Sequence, residues 1–285
     1  IVDTAASIDI EQHELWNAQT ADYWVSYKSA LDRLLEPLAD LLIDEAELLG
    51  SRQVADIGCG TGATALRIAS KVGAPGHVTG IDISKKLVSK AVSAAQSAGV
   101  TNVTFYEADA ARFVFDTPQD LIVSRCGVMF FGDPVGAFSN LRKGIRPGGK
   151  LLLAVWCAPE ENQWYQFPMH CAKKFSGVPP ADDYDAPGAF ALARESRVRN
   201  ILSSAGFHEI HLTLHRPNLF VGSTVSGAAD LFMAMNSIQR LLRETDGASE
   251  KRIRQHMLDD LKHYQKENGI YMSGACWLIS ARVPA

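Results

Sequence analysis

Apolar residues recur at three- and four-residue steps near the start of the chain, then give way to short solid runs. Leu31, Leu34, Leu35, Leu38, Leu41 and Leu42 share one face of a helical pattern that extends over residues 11–49. Pro37 suits the first turn of a second helix there, and Gly50 stands where a helix C-cap glycine would. From residue 54 the pattern alternates. It predicts strands at 54–57, 77–83, 103–107, 121–124 and 150–156, with helices at 63–72, 86–98 and 135–145 and a turn at Pro147-Gly148-Gly149. Wholly apolar strands alternating with helices imply a parallel sheet covered on both faces.

Regularity breaks after Trp156. Residues 158–193 are rich in Pro, Gly, aromatics and Asp and read as an irregular lid. Helices are predicted at 194–205, 225–243 and 249–268, the last with Ser249 as N-cap and Gly269 as its stop, and strands at 207–214 and 276–283. The expected division is a helical cap at 1–50, a ligand-binding core at 51–157, a lid insertion at 158–193, and the rest of the core at 194–285 carrying a helical insertion at about 222–272.

The candidate chemistry lies where the first strand meets its helix. Gly58-Cys59-Gly60-Thr61-Gly62 lets a ligand approach the backbone closely beside a helix N-terminus. Gly58, Gly60 and Ala63 also satisfy a dinucleotide fingerprint, so the loop alone leaves a nicotinamide-nucleotide oxidoreductase open. Three acids weigh on the choice. Asp56, just before the loop, would repel a pyrophosphate but suits a cationic ligand; Asp82, ending the second strand, could accept ribose hydroxyls in either case; Asp109, after the third, could meet an adenine amino group. Each has a plainer use as a loop or helix-capping residue, but together they fall at the C-terminal ends of neighbouring parallel strands, where open α/β sheets bind ligands.

The segments VADIGCGTG, GIDIS, EADA, DLIVSRCGVMFFGDP and RPGGKLLLAVW resemble class I S-adenosylmethionine-dependent methyltransferases. Among these the chain is similar to the broad type 11 family that includes the ubiquinone and menaquinone C-methyltransferases. The resemblance implies a Rossmann-like α/β fold, with a seven-stranded, mostly parallel sheet whose last strand is antiparallel, helices on both faces, N-terminal helices and an inserted helical cap. It also implies donor-binding roles for Asp56, Gly58, Cys59, Gly60, Gly62, Asp82, Ile83, Asp109 and Ala110, with Leu87 packing on adenine, Arg125 near the methionine moiety, and Trp16 on a helix over the pocket. S-adenosylmethionine is then the cofactor, S-adenosylhomocysteine the product, and a small, partly apolar organic molecule the acceptor. A non-catalytic donor-binding regulator is the other alternative. The aromatics Trp16, Tyr23, Trp24 and Tyr27 could cover the donor or simply anchor the N-terminal helices.

On this resemblance the cofactor carries the difficult chemistry, so catalysis does not require a side chain. His170 is the candidate base if one is required, with His13 second. Trp164, Tyr165, Phe167, Phe232, Met233 and Met235 suggest an apolar acceptor pocket, or else the core of the cap. A net charge of −4 and no basic stripe argue against nucleic acid. The five scattered cysteines form no CxxC pair, so neither zinc nor disulfides are expected. No apolar run reaches the roughly 20 residues of a membrane span, and IVDTAASIDIEQ lacks a secretory pattern. The expected setting is cytoplasmic, and a homodimer is compatible with the sequence.

Overall fold

The computed structural model describes residues 4–48, 52–175, 183–243 and 247–285. The alternation after residue 53 becomes five parallel strands: β1 (Gln53–Ile57), β2 (His77–Asp82), β3 (Val103–Glu107), β4 (Gln119–Arg125) and β5 (Ile145–Trp156). Two later strands, β6 (His208–His215) and β10 (Cys276–Arg282), complete a seven-stranded sheet ordered β3-β2-β1-β4-β5-β10-β6, with β10 antiparallel to both neighbours. Strand order reverses between β1 and β4, which opens a crevice at their C-terminal ends. The sheet centre is solid: Val54, Ala55, Ile122, Val123 and Leu151–Val155 are fully buried.

Helices α5 (Ala63–Val72), α6 (Lys85–Ala98), α7 (Pro134–Gly144) and α9 (Glu195–Ser204) connect these strands. Before them come α1 (Thr4–Asn17), α2 (Gln19–Ser26), α3 (Lys28–Leu34) and α4 (Glu36–Glu45). Pro37 does open a helix, α4, whose buried Leu38 and Leu42 face the sheet. Its C-cap is Ala46 rather than Gly50, which lies outside the described residues.

Several expectations need correction. Pro147-Gly148-Gly149 is not a turn between elements but a bulge inside β5: pairing with β4 jumps from Gln119–Ile145 to Leu121–Lys150, so the extra residues loop out without ending the strand. The lid stretch begins as an ordered helix, α8 (Gln163–Lys173), despite Pro168 in its interior; burial of Tyr165, Phe167, Met169 and Cys171 outweighs the lost backbone hydrogen bond. The expected helix at 225–243 is two, α10 (Val225–Met233) and α11 (Asn236–Leu242). Met235 is extended between them, and the Gln239 side chain donates to the Met233 carbonyl that the break exposes (2.8 Å).

The helix expected to run to Asn268 stops earlier. After α12 (Gly247–Leu261) the chain forms a hairpin of β8 (Gln265–Lys266) and β9 (Gly269–Ser273), with Gly269 at a φ of 129°. Ser249 therefore sits inside α12 and does not cap it. Together with β7 (Asn218–Gly222) this hairpin makes a second, three-stranded sheet, β7-β9-β8, inside the cap. The N-terminal helices meet it where the Arg33 guanidinium stacks 3.5 Å over the Phe220 ring. No described helix is long and apolar enough to cross a membrane.

Candidate functional site

The glycine loop leaves β1 with Gly58, Gly60 and Gly62 all at positive φ (67°, 55° and 85°). It is bolted to β2: the Gly58 and Cys59 N–H groups both donate to the Ile81 carbonyl, at 2.8 and 3.1 Å. One Asp82 carboxylate oxygen accepts from Gly60 N–H (2.8 Å) and the other from Ser84 N–H (2.9 Å), so this acid ties the loop to the turn after β2. Burial raises its pKa, against the pull of those two hydrogen bonds. On the other side, Ser124 donates to the Ile57 carbonyl (2.7 Å) and accepts from Gly127 N–H (3.2 Å). Gly127 then packs directly behind Gly58.

These elements frame a cavity of about 720 Å³, within the usual range for organic-ligand sites. Ten of the twelve residues anticipated around the donor line it: Trp16, Gly58, Cys59, Gly60, Asp82, Ile83, Leu87, Asp109, Ala110 and Arg125. Asp109 also serves its own turn, accepting from Ala111 N–H (2.9 Å) with Arg112 nearby (3.6 Å). The other two lie behind the wall. A side chain at Gly62 would meet Ala91 and Phe105 at 3.0 and 3.1 Å, so this glycine serves the packing of the loop against α6 and β3. Asp56 is 1% exposed and one of its oxygens has no partner. Burial pushes its pKa up to about 7; Arg125 opposes that rise, and Asp82 adds to it.

The N-terminal aromatics divide between lining this cavity and packing on one another. Trp16, Tyr23 and Trp24 line the cavity. Trp16 meets Phe130 edge-on at 5.0 Å, and Tyr23 packs on Tyr27, which lies outside the lining. Asn17, which carried no motif, fixes this cover: it donates to the Ile83 carbonyl (3.1 Å) and accepts from Lys85 N–H (3.1 Å). Asn17→Ala is expected to weaken donor binding about three- to tenfold, the scale of one or two modest hydrogen bonds. The core is intact in that variant, so the thermal midpoint should move by only a few degrees. Titration calorimetry and thermal unfolding would measure the two effects.

The far wall is aromatic. Phe130, Trp156, Trp164, Tyr165, Phe190 and Phe232 line it, with Trp156–Trp164 at 4.9 Å and Tyr165–Phe190 at 4.8 Å. Phe167 and Met233, also considered for the pocket, belong to the core instead. Arg240 and Arg243 border the same space, and Arg243 donates to Gln19 (2.9 Å), joining α11 to α2. His170 is not brought here: it is exposed on α8, one turn from the exposed Gln166, and neither it nor His13 lines the cavity. Cys59 and Cys126 do line it, but burial raises both thiol pKa values, that of Cys126 to about 12, so neither supplies a thiolate.

Comparison with known proteins agrees with this geometry. The sequence profile of a family described as "Methyltransferase domain" matches residues 50–205. Aklanonic acid methyltransferase DauC of Streptomyces sp. (strain C5) is 31% identical over 145 residues, which cover 49% of this chain and 66% of DauC. YcgJ of Bacillus subtilis (strain 168), an uncharacterized methyltransferase, is 34% identical over 131 residues, covering 46% of this chain and 51% of YcgJ. The chain thus spans about half to two thirds of the length of these curated relatives. The crystal structure of YcgJ superimposes with a TM-score of 0.57 at 23% identity, over 87% of this chain and 98% of that one, a likeness of fold. With residues 50–205 inside that profile and the sheet order found here, the chain belongs to the methyltransferase domain family, in its class I fold.

Proposed function

We propose that this chain is an enzyme that moves a methyl group from S-adenosylmethionine to a small, partly apolar organic acceptor by in-line displacement. The observation that carries the reading is a single cavity joining the Gly58–Gly60 loop and Asp82 to an aromatic wall. The residues fit the donor: a side chain at Gly60 would meet nothing within 4 Å, leaving that backbone open to a ligand, and an acid with an unpartnered oxygen lies beneath. Asp82 would hold the ribose, Asp109, Ala110 and Leu87 the adenine, and Arg125 the methionine end.

S-adenosylmethionine, when bound, supplies an electrophilic sulfonium methyl. The protein's part is orientation and exclusion of water. No histidine lines the cavity among the described residues, and burial raises the pKa of Tyr23 so that it stays a neutral phenol. The site therefore suits an acceptor that ionises, or carries a lone pair, without help from a histidine. DauC is named for an acid, and the arginines beside the aromatic wall would suit an acceptor of that charge. The same reading takes the partner as a small molecule rather than nucleic acid, in a cytoplasmic setting, with room for a homodimer.

Two measurements test this. S-adenosylmethionine and S-adenosylhomocysteine should bind by calorimetry where NAD(H) does not; the reverse result would make the chain an oxidoreductase. S-adenosylhomocysteine should then be released with some member of a broad acceptor panel, and silence across that panel would leave a binding regulator.

A pH dependence also follows from Asp56. Unfolded it ionises near 3.8, whereas in the fold it keeps its proton to about 7. Folding takes up a proton between those values, so its contribution favours the fold most at the acid end and is lost as pH rises towards 7. A cationic donor above it favours the ionised form. Donor affinity should consequently rise with pH up to about 7 and then level, with proton release on binding. Asp56→Asn should flatten that profile, which calorimetry in buffers of different ionisation enthalpy would read.

A further inference from the structure

Helix α12 places His256 and Asp260 four residues apart on one face, and α8 brings Cys171 against them. One sulfur, one imidazole nitrogen and one carboxylate oxygen lie within 4.8 Å of one another, the only such convergence among the described residues. None of the three lines the cavity. His256 Nε2 is 3.4 Å from Asp260 Oδ2 and 2.7 Å from Lys174 Nζ. An ammonium group can only donate, so Nε2 accepts from Lys174 with its one lone pair, the same lone pair that would bind a metal once the ammonium moves away. A cation thus already stands at the edge of this group of donors.

We propose that Cys171, His256 and Asp260 form a binding site for a divalent cation of the zinc type. Thiolate, imidazole and carboxylate are the donors that such an ion takes, at about 2.0–2.3 Å, with water in a fourth position. Ligands so bound lie roughly 3.3–3.7 Å apart, so the cluster needs only a small closure and the departure of the Lys174 ammonium. Burial holds the Cys171 thiol protonated, with a pKa raised to about 12, and the negative charge of Asp260 adds to the rise. On binding, the S–H bond is replaced by S–metal and the proton goes to solvent. No CxxC motif announces the site because its ligands come from two helices 85 residues apart in the chain, Cys171 to His256. The ion would fasten α8 to α12, and α8 carries Trp164 and Tyr165 in the wall of the cavity.

Cobalt(II) titration of the chelator-treated protein tests this without reference to methyl transfer. The expected result is one equivalent bound below about 100 µM, with a thiolate-to-cobalt charge-transfer band in the near ultraviolet and visible bands of a four-coordinate ion, all abolished by zinc. Cys171→Ser should remove the thiolate band. His256→Ala, at a half-buried position and so less disruptive to the fold, should weaken binding at least tenfold, and Lys174→Ala should tighten it. Absence of the thiolate band in the unmodified protein, or its persistence in Cys171→Ser through another cysteine, would overturn the site, as would unchanged affinity in folded His256→Ala.

Discussion

Alanine in place of Gly58 is expected to abolish donor binding and lower the thermal midpoint by roughly 4–16 °C, at the 2–4 °C per kcal/mol usual for a protein of this size. Two costs combine. The backbone there has a φ of 67°, which costs an L-residue about 1 kcal/mol. The added methyl carbon would also stand 2.6 Å from the Gly127 Cα, well inside van der Waals contact. The two backbones already touch, since a side chain at Gly127 would in turn lie 2.5 Å from the Ile57 carbonyl oxygen and 2.7 Å from the Gly58 Cα, and Ser124 ties the same turns together. Forcing β1 and β4 apart at this point should cost about 1–3 kcal/mol more. Gly60→Ala is the informative contrast. It pays only for its φ of 55°, since nothing lies within 4 Å of the new methyl, which projects instead where the donor would lie. That variant should stay folded and lose donor affinity, and calorimetry beside thermal unfolding would separate the two glycines. Equal loss of stability at both positions would contradict this account.

The legibility of the chain divides along similar physical lines. Strands β1, β2, β4 and β5 are readable because a buried parallel strand is mostly apolar, whereas the edge strand β3, which has no fully buried residue, is legible only by its alternation. The caps of α6, Ser84 and Gly99, carry their own local signals. The cap was less readable because its determinants are tertiary. Strand β7 pairs with β9, about fifty residues later, so neither announces itself in its own neighbourhood. The Asn268-Gly269 pair, a hairpin signal, follows directly on a helical stripe and was absorbed into it. At the site, residue type and spacing located the cavity, but spacing does not say on which side of a loop a residue falls. That is why Asp56 and Gly62 lie behind the wall. His170 was misplaced for a related reason: it shares the solvent-facing stripe of α8 with Gln166, while Tyr165 and Trp164 turn inward. Asn17, Ser124 and Gly127 act through partners some 66 to 69 residues away, and no local pattern marks them.

Asp82→Ala should raise the dissociation constant for S-adenosylhomocysteine about 10- to 100-fold, the range of one or two hydrogen bonds to a charged acceptor. The loss has two sources. In the proposed pose the carboxylate accepts the ribose hydroxyls, and in the protein itself it already accepts from Gly60 and Ser84. Without it two sheltered N–H groups lack an acceptor, so the glycine loop should loosen and the midpoint fall by several degrees. Asparagine is no remedy here. Its single carbonyl oxygen can serve one of the two N–H groups, but its amide then turns a donor towards the other, at a position only 8% exposed. Asp82→Asn is therefore expected to bind nearly as poorly as the alanine variant, although it has almost the shape of the native side chain. An asparagine variant with native affinity would mean that the charge and double acceptance of Asp82 do not matter, and that the ribose is held elsewhere.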